Sequence, residues 1–229
     1  MSNGQLPRSQ LIRMASVRFL GAVLVLGAML FGSAGTWAYW EALVYLAILF
    51  GPVLFVLAYL LKENPELLER RMRMKEKEPQ QKWVIGLSYL YVLVTFLLPG
   101  FDRRFEWSDV PVLVVVVADV LALLGYGTFF LVLRENRYAS RIIEVERGQK
   151  VITSGPYAMV RHPMYVGVTV LYVVSPLALG SYWAMLSALL IIPLIVARIR
   201  NEEGVLAREL EGYREYMQKT RYRLVPGIW

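Results

Sequence analysis

The chain has 229 residues, 57% of them hydrophobic and 19% charged, with 25 Lys and Arg against 18 Asp and Glu, one His and no Cys. That balance, with a mean hydropathy of +0.46, is too apolar for an ordinary soluble domain and points to a lipid-embedded protein. The lack of cysteine excludes a disulfide framework, a thiolate metal site and a cysteine nucleophile, and the lone His162 excludes a multi-histidine metal or bis-histidine haem site.

Six apolar stretches follow in chain order, about Val17 to Phe31, Trp37 to Leu61, Trp83 to Pro99, Val110 to Leu133, Met164 to Leu179 and Tyr182 to Ala197. Several approach the ~20 residues that cross a hydrocarbon core. The expected fold class is therefore an all-α integral membrane protein of about six transmembrane helices. Little more than Gly180 and Ser181 separates the last two stretches, which predicts a tight C-terminal helical hairpin. Pro52, Pro176 and Pro193 fall inside apolar runs, where each removes a backbone donor and favours a kink. Trp37, Trp40, Trp83, Trp107 and Trp183 lie near segment ends, as an aromatic belt requires. The first stretch has a second reading as a signal peptide, because Arg8, Arg13 and Arg18 precede an apolar run ending in Gly32, Ser33, Ala34 and Gly35, although no clear A-x-A site follows.

Charge sets the expected orientation. With both termini in the cytosol, the basic residues collect in the inner segments: the N-terminus, Lys62 to Lys82, Arg134 to Arg161, and Arg198 onward. Only Arg103 and Arg104 of the 25 fall outside. The positive-inside rule then predicts an even number of crossings with the charged loops cytoplasmic. Topology and anionic headgroups account for the basic excess without nucleic acid. The chain divides into membrane helices at 1–133, with a cytoplasmic linker at 62–82, and a region at 134–229 that carries most of the chemistry-capable residues.

The 62–82 linker reads as a solvated helix against headgroups. In 134–162, Ile142, Glu144, Glu146 and then Lys150, Ile152 alternate around Arg147-Gly148, which predicts a short hairpin followed by a turn at Ser154-Gly155-Pro156. So long a loop between membrane helices can lie as a lid over a pocket. In the tail, Leu206, Leu210, Tyr213 and Met217 share one helical face, which predicts an amphipathic helix on the inner leaflet. Arg198, Glu202 and Glu203 sit where the sixth crossing leaves the bilayer. Arg198 and Glu202 are one turn apart and can pair, or the acids can meet another cation. Asp119, midway along the fourth crossing, is either a functional intramembrane acid or a structural hydrogen-bond partner. Glu41 reads as interfacial, and His162 taken alone as either structural or functional. Gly125-Tyr126-Gly127 lacks the third glycine of a dinucleotide loop and lies in a membrane helix.

Gly155-Pro156-Tyr157, then Arg161-His162-Pro163-Met164-Tyr165-Val166-Gly167, a hairpin of apolar helices, Arg198-x-x-x-Glu202-Glu203, and a tail with Tyr213, Tyr216, Tyr222 and Pro226 resemble the isoprenylcysteine carboxyl methyltransferase family. That family belongs to a wider group of membrane methyltransferases that includes the phospholipid methyltransferases. The resemblance is close over about residues 134–226. It is looser from the second crossing, where Leu67-Leu68-Glu69-Arg70-Arg71-Met72-Arg73-Met74 resembles the family's linker, and the first crossing is additional to the five of its small members.

The resemblance implies S-adenosylmethionine as methyl donor, bound without a Rossmann domain in a cytoplasmic pocket, and a lipophilic acceptor reached laterally from the bilayer. It implies that Gln149, Lys150, Val151 and Ile152 lie along the cofactor and that Tyr157 follows the glycine turn. It further implies that His162, Pro163, Met164 and Tyr165 wrap the adenosine and that Glu202 holds the polar end, with Glu144 and Glu203 as neighbours. Arg198 is implied as the catalytic, acceptor-binding residue, and no metal is implied. The chemistry agrees, since a carboxylate complements the donor's positive charge and aromatic faces can contact it. A carboxylate acceptor needs an orienting cation and no base, whereas an amine or thiol would need Glu144, Glu202, Glu203 or His162 to take its proton. The expected activity is carboxyl O-methylation of an isoprenylcysteine-like lipid. Phospholipid N-methylation or thiol S-methylation are alternatives in the same class, and an NADPH-dependent membrane reductase or a transport protein lie outside it. A transporter would be expected to show repeated halves or paired intramembrane charges, and neither is visible.

Overall fold

The computed structural model describes residues 6–72 and 79–229, and the side chains of all of these except 79–84. Within them the chain forms α1 (Arg8–Ala34), α2 (Trp40–Glu63), α3 (Pro65–Met72), α4 (Pro79–Phe105), α5 (Val112–Glu135), α6 (Pro163–Ala178), α7 (Met185–Glu209) and α8 (Tyr213–Lys219), with a 3-10 turn at Gly155–Ala158. The six apolar stretches fall, to within a few residues, inside α1, α2, α4, α5, α6 and α7. Backbone polar groups in lipid must be satisfied within the segment, so an apolar run of this length has no other outcome than helix. α1, α2, the Ile85–Phe105 part of α4, and α5 are long and apolar enough to cross a membrane. α6 is a shorter apolar helix of 16 residues, and α7 is apolar only as far as Ala197, after which Arg198 and Arg200 begin a charged extension. The chain is thus a multi-pass membrane protein with four full-length candidate spans and a shorter α6–α7 hairpin.

The six long helices close a ring in which α1 touches α4, α4 touches α7, α7 touches α6, α6 touches α5, α5 touches α2, and α2 returns to α1. The most extensive of these interfaces is α5 against α6, not the hairpin pair α6 and α7. Its cause is a glycine pair. A Cβ on Gly167 would stand 2.5 Å from the Gly125 carbonyl oxygen, and one on Gly125 would stand 2.8 Å from that of Gly167. Small residues let helix backbones approach this closely in membranes, so the Gly-Tyr-Gly of α5 is a helix-crossing device. α1 and α4 cross in the same way, with Gly100 against Leu30 and Ser33. α1 is therefore built into the ring.

At the end of the ring bearing few basic residues, three loops are tied together. Buried Asp102 accepts hydrogen bonds from the Ser108 N–H and hydroxyl, both at 2.7 Å, and from the Ser181 hydroxyl. Tyr39 donates to the Leu179 carbonyl at 2.6 Å. Trp37, Trp40, Trp107 and Trp183 are exposed at this same end, as the belt pattern anticipates, while the side chain of Trp83 lies outside the described residues.

Three expectations are corrected. The 142–152 segment turns at Arg147-Gly148, with Gly148 at φ +74°, but forms no strand among the described residues; alternation is only a strand if a neighbouring strand completes the ladder. The linker is not a solvated helix as far as it is described: Asn64 caps α3 by accepting from the Leu67 N–H at 3.0 Å, and Leu67 and Leu68 are fully buried. Its remainder from Arg73 to Glu78, including the end of the Leu67–Met74 motif, lies outside the described residues. The tail is not one amphipathic helix on the leaflet. α7 continues to Glu209, the chain breaks at Gly212 with φ +81°, and Leu210, Tyr213 and Tyr216 pack with Leu206 and Met217 against Val145, Val151 and Tyr157 of the loop.

Candidate active site

The site forms where the charged extension of α7 passes beneath the start of α6. Pro163 opens α6 at a position where its missing N–H costs nothing, and His162 precedes it as cap residue, its carbonyl accepting from the Tyr165 and Val166 N–H groups. One turn into α6, the Tyr165 hydroxyl donates to Glu202 Oε2 at 2.6 Å and accepts from Arg198 Nε at 2.7 Å. Arg198 also donates to the Arg141 carbonyl at 2.7 Å. The i,i+4 residues Arg198 and Glu202 are thereby bridged by a third side chain from another helix, a link their spacing alone does not disclose. The other edge of Glu202 lies 3.8 Å from His162 Nδ1.

Above this triad is a cavity of about 120 Å³. The loop supplies Glu144, Gln149, Lys150, Val151 and Ile152; Tyr157 comes from the 3-10 turn, and His162, Pro163, Met164 and Tyr165 from the start of α6. α7 supplies Arg198 and Glu202. Of the residues that the resemblance places at the donor or acceptor, Glu203 alone does not line it. Its carboxylate is buried behind His162, accepting from Arg223 Nε at 2.7 Å and lying 2.8 Å from Arg161 Nε. Residues to which the sequence reading gave no role at the site also line the cavity: Asn136, Tyr138, and, from the quoted motifs, Arg161 and Tyr216. Asn136 donates to the Tyr157 hydroxyl at 2.8 Å, and Tyr216 donates to the Tyr157 carbonyl at 2.7 Å. The tyrosine repeat of the tail was the available signal for Tyr216, whereas Asn136 had none.

Burial pushes the Tyr157 and Tyr213 hydroxyls up, with Glu202 adding to the effect at Tyr157 and Glu203 and Glu202 at Tyr213. Tyr216 is pushed up to about 12 by burial. These phenols therefore stay neutral and act as hydrogen-bonding groups. Burial would raise Glu203, but hydrogen bonds from His162 and Arg223 and the charge of Arg161 outweigh it and hold the carboxyl below the usual range.

A second cavity of about 340 Å³ adjoins the first, sharing Ser140, Ile142, Met164, Tyr165 and Arg198. Its body is apolar, with Val92, Phe129, Val168, Ile191, Leu194 and Ile195 from the ring helices. Its polar end carries three guanidinium groups, Arg71, Arg141 and Arg198, and no carboxylate among the described residues. Arg71 donates to the Ala139 carbonyl at 3.1 Å and sits 4.8 Å over the Phe129 ring. Burial, then the charge of Arg141, lower it to about 10. Like charges gathered at a partly buried site favour an anion.

The donor set of the first cavity fits a methyl donor of the S-adenosyl type. Tyr213, in its wall, has a buried hydroxyl with no partner among the described residues. The N–H groups of Lys150, Val151 and Ile152 take no backbone partner there either, leaving an extended edge open to a planar ring. Glu202 supplies negative charge beside aromatic rings. Among the described residues no group of three or more His, Asp and Glu can hold a metal.

No curated protein matches the chain. Residues 113–211, from the first turn of α5 to the end of α7, match the family model described as phospholipid methyltransferase. Methyltransferases of this kind usually use S-adenosylmethionine. The matched segment includes the α5–α6 crossing, the loop and the Tyr165–Arg198–Glu202 triad; over these residues the chain is similar to the phospholipid methyltransferases, which supports a membrane methyltransferase.

Proposed function

We propose that the chain is an S-adenosylmethionine-dependent methyltransferase that esterifies the carboxylate of a lipophilic acceptor, with an isoprenylcysteine-like lipid as the best-fitting class. The observation that carries this reading is the meeting of two unlike cavities at Tyr165 and Arg198: one polar with an acid, the other apolar with an arginine cluster at its end. S-adenosylmethionine, when bound, supplies a methyl group on a cationic sulfur, so that an O–C bond forms as the S–C bond breaks and neutral S-adenosylhomocysteine leaves.

The residues divide the work. Glu202 and the Tyr213 hydroxyl hold the polar end of the donor, and His162 to Tyr165 with the 149–152 edge enclose the remainder. Arg198, with Arg71 and Arg141, receives the acceptor carboxylate and aims an oxygen across Tyr165. Positioning of this kind supplies much of the rate of an in-line transfer, and a carboxylate needs no base. The apolar body of the second cavity excludes water and takes the acceptor's chain. The basic segments put this end of the ring, and both termini, in the cytosol. Membrane lipid surrounds the ring, and nucleic acid has no part.

The family match favours one second reading, N-methylation of a phospholipid amine. There the arginines take the lipid phosphate, and Glu202 or Glu144 must accept the amine proton.

Calorimetric titration of the detergent-purified chain with S-adenosylhomocysteine, using NADPH as control, tests the donor. Binding of the former alone, weakened in Glu202→Gln and His162→Ala, is expected; binding of NADPH alone would move the chain to the reductases. Arg198→Ala should lower turnover at saturating donor. Radiolabelled donor with N-acetyl-S-farnesylcysteine should then give a base-labile methyl ester, and label appearing only in phosphatidylethanolamine as base-stable product would select the second reading.

A further inference from the structure

Behind the first cavity lies a polar cluster that reaches its surface through Arg161 and His162. Glu203 is its centre. One carboxylate oxygen lies 2.8 Å from Arg161 Nε and 3.3 Å from His162 Nε2, and the other accepts from Arg223 Nε at 2.7 Å. The Arg161, His162 and Glu203 side chains are between 4% and 6% exposed. A carboxylate buried to this degree is costly unless fully paired. The Arg161 contact meets the distance of an ion pair without hydrogen-bond alignment, so Arg223 is the guanidinium that Glu203 holds by a directed hydrogen bond.

Arg223 belongs to a folded strap formed by residues 222–229. The N–H groups of Arg161 and His162, just ahead of Pro163, donate to the carbonyls of Tyr222 and Arg223 at 2.9 and 3.0 Å. The N–H groups of Arg223, Leu224 and Val225 converge on a Trp229 oxygen at 2.9, 3.0 and 3.2 Å, and the Arg223 guanidinium lies 5.3 Å over the Trp229 ring. Leu224 and Trp229 pack against Tyr91, Ile191, Ile195 and Ile199. The strap is thus anchored by apolar contacts on α4 and α7 and holds the cap of α6 by two backbone bonds and one side-chain latch.

We propose that Arg223 and Glu203 are positioning residues of the donor site, acting through His162 from behind the cavity wall. The inference rests on the methyltransferase reading above. With Nε2 engaged by Glu203, the His162 ring is held with Nδ1 toward Glu202, and the backbone that leads into Pro163, Met164 and Tyr165 is pinned to the strap. Without the latch Glu203 keeps His162 and the unaligned Arg161 contact but loses the directed bond that fixes its carboxylate, so the His162 ring and the donor wall beside it are less firmly preorganised. In metal sites, removing the group that orients a ligating histidine costs about tenfold or more in affinity, and a loss of that order is the expectation for His162 here.

The test is S-adenosylhomocysteine titration of the detergent-purified full chain as wild type, Arg223→Ala, Arg223→Lys and Glu203→Gln, with thermal unfolding measured in parallel. Arg223→Ala should raise Kd by about tenfold at unchanged stoichiometry, and Arg223→Lys, which keeps the charge without the fork, should recover part of the loss. In turnover assays the donor KM should rise while kcat at saturating donor stays. A wild-type Kd in Arg223→Ala would overturn the proposal, as would a reduced number of sites at wild-type Kd, the mark of a merely structural role. If Arg223→Ala does not fold, Arg223→Lys and Glu203→Gln decide, and wild-type affinity in both refutes it. A wild-type chain that binds no S-adenosylhomocysteine refutes the methyltransferase reading itself, which separates the two failures.

Discussion

The α5–α6 glycine crossing gives the sharpest structural prediction, for Gly167→Ala. The added Cβ would lie 2.5 Å from the Gly125 carbonyl oxygen and 3.3 Å from both Phe129 N and Thr128 Cβ. Comfortable contact begins near ~3.5 Å, so the helices must separate by about 1 Å, because the nearest obstacle is backbone and cannot swing aside. Overpacking of this kind costs about 1–3 kcal/mol, equivalent to about 2–4 °C in Tm per kcal/mol for a chain of this size. Gly167 lies just past Tyr165 on α6, so the displacement carries the donor wall with it, and a misplacement of about 1 Å can lower the rate about 100-fold. Gly127, two residues along α5, is the control, because nothing lies within 4 Å of a Cβ built there. Thermal unfolding in detergent and methyl transfer from labelled donor should therefore show Gly167→Ala impaired in both and Gly127→Ala impaired in neither. Indistinguishable behaviour of the two variants would refute the close crossing and its coupling to the site.

Three further predictions follow from the remaining contacts. Asp102→Ala strands the Ser108 and Ser181 donors at a buried position; charge-assisted bonds contribute about 1.5–3 kcal/mol each, so a loss of at least about 2 kcal/mol is expected in thermal unfolding, and a neutral result would mean the three-loop tie is not formed. Glu203 has its folded pKa depressed, so its contribution to stability is complete above the ordinary glutamate pKa of about 4.3 and disappears as pH falls through the lower folded value; Glu203→Gln should flatten the acid limb of the stability profile, and an unchanged limb would remove Glu203 as its source. The chain has no cysteine, so single cysteines report topology cleanly: Trp107→Cys should react with an impermeant maleimide in intact cells and Arg147→Cys only after lysis, and the reverse pattern would invert the orientation.

Much of the architecture is legible because lipid is an undemanding reader of sequence. Apolar runs near 20 residues have one backbone solution in a bilayer, so six helical stretches, the α6 start at Pro163 and the turn at Arg147-Gly148 follow from local residues. The motif around Arg161–Gly167 and Arg198–Glu203 also marks the part of the chain that builds the cavity, since both segments sit at helix ends where charged side chains can leave the hydrocarbon.

The order of helices in the ring was beyond local pattern, because every helix face is apolar and lipid does not distinguish a partner from a neighbour; only the backbone approach at Gly125 and Gly167 selects α5 for α6. The alternation at Ile142–Ile152 did not become strands because no ladder partner arrives there. Leu67 and Leu68 are buried because α3 folds under the loop, and the tail face of Leu206, Leu210 and Tyr213 found that loop in place of a leaflet. At the site itself, composition and spacing determined which acids and cations stand on the charged extension of α7. Tertiary structure alone decided that Tyr165 bridges Arg198 and Glu202, and that Glu203 turns away to Arg223. Those pairings join residues from separate segments, and burial makes each of them obligatory only once the chain has brought them together.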